Sequence, residues 1–108
     1  MTTATIYDLE AIDRVDLTTV LTGPLREARL VTLASRQSET LTADDREHTL
    51  FVLEGTGTAQ SSAATVDLTP GTAVTLPLGG ALIVIAGAEP MRYFHASLSV
   101  PAGQEYQR

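Results

Sequence analysis

Cysteine and lysine are both absent from the 108 residues of this chain. Without cysteine there can be no disulfide, no thiolate metal site and no thiol nucleophile, and the redox compartment is left open. Without lysine, covalent catalysis through a lysine Schiff base is impossible. No apolar run reaches the roughly 18 residues that a membrane-spanning helix needs, and residues 1–10 show no secretory signal. We therefore expect a cytoplasmic protein.

The charge balance is acidic, with a formal net charge of -6, and all seven basic residues are arginine. An acidic chain without a basic cluster is a poor partner for nucleic acid or for an anionic membrane surface. The glycines do not form a nucleotide-binding loop of the Walker type. We therefore expect neither a nucleic-acid partner nor a membrane partner.

Short apolar segments alternate with turns that contain glycine or proline, such as Gly23-Pro24, Pro70-Gly71 and Gly79-Gly80. This pattern is typical of an all-β sandwich or barrel, and no helical pattern of 10 to 15 residues alternates with the strands. We predict one domain, consistent with the length. It has an N-terminal arm at 1–24 with a short helix or an edge strand, a barrel at 25–100 and a polar tail at 101–108.

Two segments in the middle of the chain carry a family resemblance. His48 to Gly55 reads His-Thr-Leu-Phe-Val-Leu-Glu-Gly, and Gly71, Pro77 and Gly79 follow with the spacing of a second motif. Together they resemble the two conserved motifs of the cupin superfamily. The resemblance implies a double-stranded β-helix, a jelly-roll-like barrel of two antiparallel sheets. It also implies a protein that is often a homodimer and often holds one divalent metal.

The metal ligands of that family are two histidines one residue apart, a glutamate and a histidine of the second motif. Aligned on this chain, the glutamate position falls on His48 and the last histidine on Leu82. The paired histidines fall on Thr42 and Asp44 if three residues separate them from the glutamate position, or on Leu41 and Ala43 if four do. Zinc and iron need more donors than remain. We therefore predict that the metal site is lost and that no cofactor is bound.

Period-two alternation shows which residues share a face of a strand. His48, Leu50 and Val52 share one face, and the resemblance implies that this face points into the barrel, because His48 falls on a ligand position. By the same rule Leu82 and Val84 point inward. On the last strand, we expect the apolar face with Phe94 to point inward and the polar face with Tyr93, His95, Ser97 and Ser99 to point outward. The predicted ligand-binding residues line an apolar cavity and are His48, Leu50, Val52, Leu82, Val84 and Phe94.

His48 is the candidate for catalysis, as a general acid or base or as a hydrogen-bond anchor for a ligand. The alternative is a histidine at the barrel mouth that bonds to a backbone group or water. His95 is expected to face solvent or an interface. Arg26, Arg29 and Arg92 are candidates for binding a carboxylate, although surface ion pairs are the simpler use of them.

Four apolar residues are expected on outward positions: Phe51, Leu53, Ile83 and Ile85. Such a set favours a homodimer that buries them, because each side chain of this size gains roughly 1.5–3 kcal/mol on burial. The alternative is that the N-terminal arm covers them within one chain.

Three functions are compatible with these observations. The first, which we favour, is a small-molecule-binding barrel without metal, either a metal-independent accessory or biosynthetic enzyme or a sensor. The second is a metal-dependent enzyme of the dioxygenase or isomerase type with a non-standard ligand set. The third is a non-catalytic dimerisation barrel. Whether the chain is an enzyme at all is left open.

Overall fold

The computed structural model describes residues 4–100, which form one short helix and nine strands. The predicted tail at 101–108 and the first three residues of the predicted arm lie outside this range. The elements, in chain order, are α1 (Leu9–Ile12), β1 (Arg14–Asp16), β2 (Leu25–Leu33), β3 (Ser38–Thr42), β4 (Arg46–Glu54), β5 (Gly57–Gln60), β6 (Thr65–Leu68), β7 (Ala73–Leu76), β8 (Ala81–Ala86) and β9 (Met91–Ser99).

The strands form two sheets in which every paired neighbour is antiparallel. The five-stranded sheet has the order β1-β2-β9-β4-β7, and the four-stranded sheet has the order β3-β8-β5-β6. Non-consecutive strands such as β4 and β9 are direct neighbours, as in a jelly roll. The predicted all-β fold of two antiparallel sheets is confirmed.

The core lies between the two sheets and is built from alternate residues of the strands. Leu50 and Val52 of β4 are 2% and 0% exposed, and Leu82 and Val84 of β8 are 7% and 0% exposed. All four face inward, as expected from the alternation and the cupin-like position of His48. The buried apolar cluster comprises Leu33, Leu41, Ala43, Leu50, Val52, Ala59, Leu68, Leu76, Leu82, Val84, Ala86, Met91 and Tyr93.

The last strand, β9, faces the opposite way from the prediction. Tyr93, His95 and Ser97 are buried, with 0%, 3% and 1% exposure, whereas Phe94 is only half-buried. The register explains this, because His95 lies directly opposite the inward Leu50 and paired residues share a face of the sheet. Phe94 therefore points away from the interior, and its predicted place in the cavity is wrong. The hydropathy of the two faces of β9 therefore predicted the wrong one to be buried.

The four apolar residues predicted to form one dimer surface lie on opposite sides of the molecule. Phe51 and Leu53 are 43% and 40% exposed on the outer face of the five-stranded sheet. Ile83, at 37% exposure, and the half-buried Ile85 lie on the outer face of the four-stranded sheet. A single surface made of all four is therefore wrong. Dimerisation itself stays a prediction.

The N-terminal arm contains both a short helix and an edge strand. Asp8 caps α1 by accepting a hydrogen bond from the Glu10 backbone N–H at 3.1 Å, and β1 pairs with β2. Arg92, on the outer face of β9, donates to Glu10 at 2.8 Å and to Glu54 at 3.2 Å. These bonds tie the arm to one end of that face. No helix within residues 4–100 is long and apolar enough to cross a membrane.

Candidate functional site

The interior of the barrel has a polar part as well as an apolar core. Five side chains form it, and we call them the inner polar cluster: Arg29, Glu39, His48, Tyr93 and His95. They come from β2, β3, β4 and β9, so both sheets contribute. The register places Arg29 directly opposite His95, which brings the guanidinium to the imidazole.

Hydrogen bonds fix the protonation pattern of the two histidines. The Thr42 carbonyl oxygen, 3.0 Å from His48 Nε2, can only accept, so this nitrogen carries the proton. In a neutral ring Nδ1 then accepts, and its partner is His95 Nε2 at 2.9 Å. Arg29 Nε donates to His95 Nδ1 at 2.9 Å, which completes one consistent chain of donors. The two rings also stack, with centroids 5.1 Å apart.

Glu39 closes the other side of the cluster. Its carboxylate accepts from Arg29 Nη2 at 3.0 Å and from the Tyr93 hydroxyl. Burial by itself raises the pKa of Glu39, but the bonds from Tyr93 and Arg29 outweigh it and hold that pKa below its usual value. Burial, followed by the bond to Glu39, raises the pKa of Tyr93 well above its usual value. An ionised Glu39 between a protonated Tyr93 and Arg29 is the resulting state.

Burial also shifts the pKa of His95. Burial, then the positive charge of Arg29 and the neighbouring His48, lower the pKa of His95 to about 4, although Glu39 acts in the opposite direction. The ring is therefore neutral near pH 7, which agrees with the proton positions that the hydrogen bonds require.

All four ring nitrogens of His48 and His95 have partners within the chain. A substrate that takes a proton from His48, or gives one to it, has to replace one of these bonds. The pattern matches the alternative in which a histidine at the barrel mouth bonds to a backbone group. The catalytic role of His48 stays a prediction.

The residues at the aligned metal positions do not fit the ligand set of the family. Leu82 and Leu41 are paired residues of β8 and β3, both are 7% exposed, and neither has a donor atom. Ala43 is fully buried, whereas Asp44 is exposed on the loop before β4. Within residues 4–100, no group of three or more histidine, aspartate or glutamate side chains is arranged to hold an ion.

An apolar cleft opens where the edges of the two sheets meet. β7 ends the five-stranded sheet and β6 ends the four-stranded sheet, and the space between them measures about 370 Å³. We call it the β6–β7 cleft. Its lining is mainly aliphatic and small and consists of Ala59, Ser61, Ala64, Val66, Thr72, Ala73, Val74, Thr75, Leu76 and Leu82.

The predicted ligand-binding residues are not brought together in one place. Leu82 lines the β6–β7 cleft, while Leu50, Val52 and Val84 belong to the packed core. His48 instead lines a neighbouring pocket of about 230 Å³, which shares Thr75 and Leu76 with the cleft. Its other walls are formed by Glu47, Thr49, Thr75, Leu76, Pro77 and Leu98.

Sequence reasoning missed four members of the inner polar cluster as interior groups: Arg29, Glu39, Tyr93 and His95. One signal was present on β9, where Tyr93, His95 and Ser97 alternate and each side chain can form a hydrogen bond. A strand whose polar face carries two aromatic rings is able to bury that face, provided that other strands supply partners.

No protein-family model matches the chain, and no curated protein is detectably similar to it in sequence. Solved structures are similar in fold. A cupin 2 conserved barrel domain protein from Salinispora arenicola aligns with a TM-score of 0.74 at 15% identity, covering 92% of each chain. A predicted oxalate decarboxylase from Thermotoga maritima aligns with a TM-score of 0.66 at 13% identity, covering 71% of this chain and 69% of that one.

The cupin domain of Schizosaccharomyces pombe Cnp3 also aligns with a TM-score of 0.66 at 13% identity. The alignment covers 74% of this chain but only 56% of that one. These likenesses show that the chain has the cupin fold, as its two motifs predict. The fold hosts many different activities, so it does not identify the activity of this chain.

Proposed function

We propose that the protein binds a compact, mainly apolar small molecule in the β6–β7 cleft and does so without the metal of the cupin family. The observation that carries this proposal is the cleft itself, an apolar space of about 370 Å³ that reaches the core residue Leu82. Its size falls within the roughly 300–1,000 Å³ that small-molecule sites span.

The polar groups in the cleft are largely committed to local turns. Ser61 Oγ donates to the Ala64 carbonyl at 3.3 Å, and Thr72 Oγ1 accepts from the Thr69 backbone N–H at 3.2 Å. Few polar atoms are therefore left to recognise a charged or highly polar ligand. Burial of apolar surface supplies most of the binding free energy in such a site.

The cleft has an accessible rim. Val66 is 53% exposed, although it lies on β6 as the paired residue of the buried Ala59. Because β6 and β7 are edge strands of different sheets, a ligand can enter between them without breaking a backbone ladder. A ligand that covers Val66 also removes an exposed apolar side chain from water.

We expect toluene, used as a probe, to bind the full chain in the cleft and to shift the methyl NMR signals of Val66, Val74 and Leu82. The Val66→Trp variant should weaken this binding by about tenfold or more, because an indole ring fills the rim. Methyl-labelled protein titrated with toluene measures both effects.

Ile83→Trp is the matched control, since it places the same ring on the outer face of the same sheet. It should leave the toluene affinity unchanged. Toluene shifts confined to the outer-face residues would contradict the proposal. A stoichiometric divalent metal in protein purified without chelators would instead favour the metal-dependent alternative.

We also propose that two chains pair through the outer face of the five-stranded sheet. Phe51 lies opposite Phe94, and Phe94 lies opposite Leu30, so these residues form one apolar row across three strands. Light scattering should give twice the mass of one chain at micromolar concentration. Phe51→Asp should halve that mass and Ile83→Asp should not. A single-chain mass for the unaltered protein would exclude the dimer.

A further inference from the structure

A further pocket, of about 160 Å³ and lined by polar side chains, lies at one end of the five-stranded sheet. We call it the arginine pocket because two guanidinium groups line it. Its residues are Asp16, Thr18, Arg26, Glu27 and Arg46, from the end of β1, the turn after it, the start of β2 and the start of β4.

Arg26 owes its position to an irregularity in β2. The register with β9 shifts between Leu25 and Glu27, so Arg26 is the extra residue of a bulge. A bulge redirects the side chain of the extra residue, and bulges are frequent next to binding sites. The Arg26 carbonyl accepts from the Leu17 backbone N–H at 2.8 Å, which holds this part of the chain in place.

Arg26 Nε is buried and has no hydrogen-bond partner among residues 4–100. A buried donor on a charged group is costly to leave unpaired, so such an atom calls for an explanation. An acceptor that enters the pocket would satisfy it.

The ion pairs of the arginines also support an acceptor that enters this pocket. Arg14, Arg29 and Arg92 each have a carboxylate within 4.0 Å. Within residues 4–100, neither Arg26 nor Arg46 has one, and Arg46 donates only to Ser97 Oγ at 3.3 Å. Two guanidinium groups therefore line one pocket without forming an ion pair in the described part of the chain.

Each of the two carboxylates of the pocket already has a partner other than Arg26 and Arg46. Asp16 accepts from the Thr18 hydroxyl at 2.7 Å and from the Thr18 backbone N–H at 2.9 Å. Glu27 lies 3.6 Å from Arg14. The two acids balance the formal charge of the two guanidinium groups, so an anion has to be recognised by directed hydrogen bonds. A second negative charge on the ligand would be repelled by Asp16 and Glu27, which favours a singly charged anion.

From this arrangement we propose that the arginine pocket binds the carboxylate group of a small organic acid. A planar carboxylate accepts two parallel N–H bonds from a guanidinium fork, and this geometry matches arginine better than any other side chain. The pocket is separate from the β6–β7 cleft, and the two proposals stand independently.

Acetate is the probe, titrated into the full chain at constant ionic strength so that screening does not change. We expect the Nε–H NMR signal of Arg26 to shift in a saturable way. Arg26→Gln and Arg46→Gln should each weaken acetate binding by about tenfold or more. Arg36→Gln, which removes the same charge from an exposed turn, should leave the affinity unchanged.

Arg26→Lys provides a second variant should Arg26→Gln fold poorly. It retains the charge but lacks the fork and Nε, and it should also lose about tenfold in affinity. Equal losses in all the variants, including Arg36→Gln, would show general electrostatic attraction and overturn the proposal. Absence of a saturable shift, or tighter binding of inorganic phosphate than of acetate, would overturn it as well. Toluene binding in the cleft should not change in any of these variants.

Discussion

Replacing Gly55 with alanine should destabilise the protein by about 3 kcal/mol or more. Gly55 has a φ of 79°, and a Cβ at this position would lie 2.3 Å from the Pro90 carbonyl oxygen and 2.9 Å from Met91 Cα. A left-handed conformation at a residue other than glycine costs roughly 1–3 kcal/mol by itself. The clash adds to this cost because both obstructing atoms belong to the backbone and cannot rotate away.

Gly71→Ala is the matched control for this prediction. Gly71 also has a positive φ, at 94°, but a Cβ there would meet nothing within 4 Å. The Gly71→Ala substitution should lower the free energy of unfolding by only about 1 kcal/mol, because it introduces conformational strain without a clash. Urea unfolding of the two variants measures the difference. Equal losses of unfolding free energy in the two variants would mean that the close approach of Pro90 and Met91 to Gly55 does not affect stability.

The glycines at the end of the first motif show which features the sequence predicts and which it does not. Gly55 and Gly57 indicate a bend after β4, and the structure has one between β4 and β5. The sequence does not reveal that Pro90, 35 positions after Gly55, fills the space that a side chain would need. The local sequence pattern indicates the conformation of the backbone. The close approach of Pro90 to Gly55 depends instead on how segments distant in the sequence pack together.

The same limit explains the error on β9. On β4, both faces carry apolar residues, and the inward face was assigned from the cupin-like position of His48, which shares it with Leu50 and Val52. On β9, the face with Phe94 looked more apolar than the face with His95. The burial of His95 depends on Arg29, which lies 66 positions away and supplies its hydrogen bond. A polar residue can be buried when its partner is present, and the sequence does not show the partner.

The candidate site was predictable to a similar degree. The resemblance and the alternation together placed Leu82 inward, and Leu82 does line the β6–β7 cleft. Alternation could not show that β6 and β7 end different sheets and leave a gap, because strand order is set by long-range pairing. It also could not show that Arg26 sits in a bulge, since the register shift needs β9 as its reference.

The second large effect is on the pH dependence of stability. Burial lowers the pKa of His95 to about 4 in the folded protein, whereas an unfolded histidine titrates near 6.5. Between these values the unfolded chain binds a proton that the folded chain does not. Stability is therefore fully present above pH 6.5 and falls as the pH drops toward 4. Between pH 7 and pH 5 we expect a loss of about 2 kcal/mol from this residue.

Urea unfolding at a series of pH values from 7 to 5 measures this loss, and this range avoids the usual titration of carboxyl groups. His95→Gln should abolish it, because an amide can still accept from Arg29 and donate to His48 without taking up a proton. His48→Gln is the control and should retain the slope, since His95 stays buried beside Arg29. A slope that survives in His95→Gln would place the titrating group elsewhere and would contradict a neutral imidazole at the centre of the inner polar cluster.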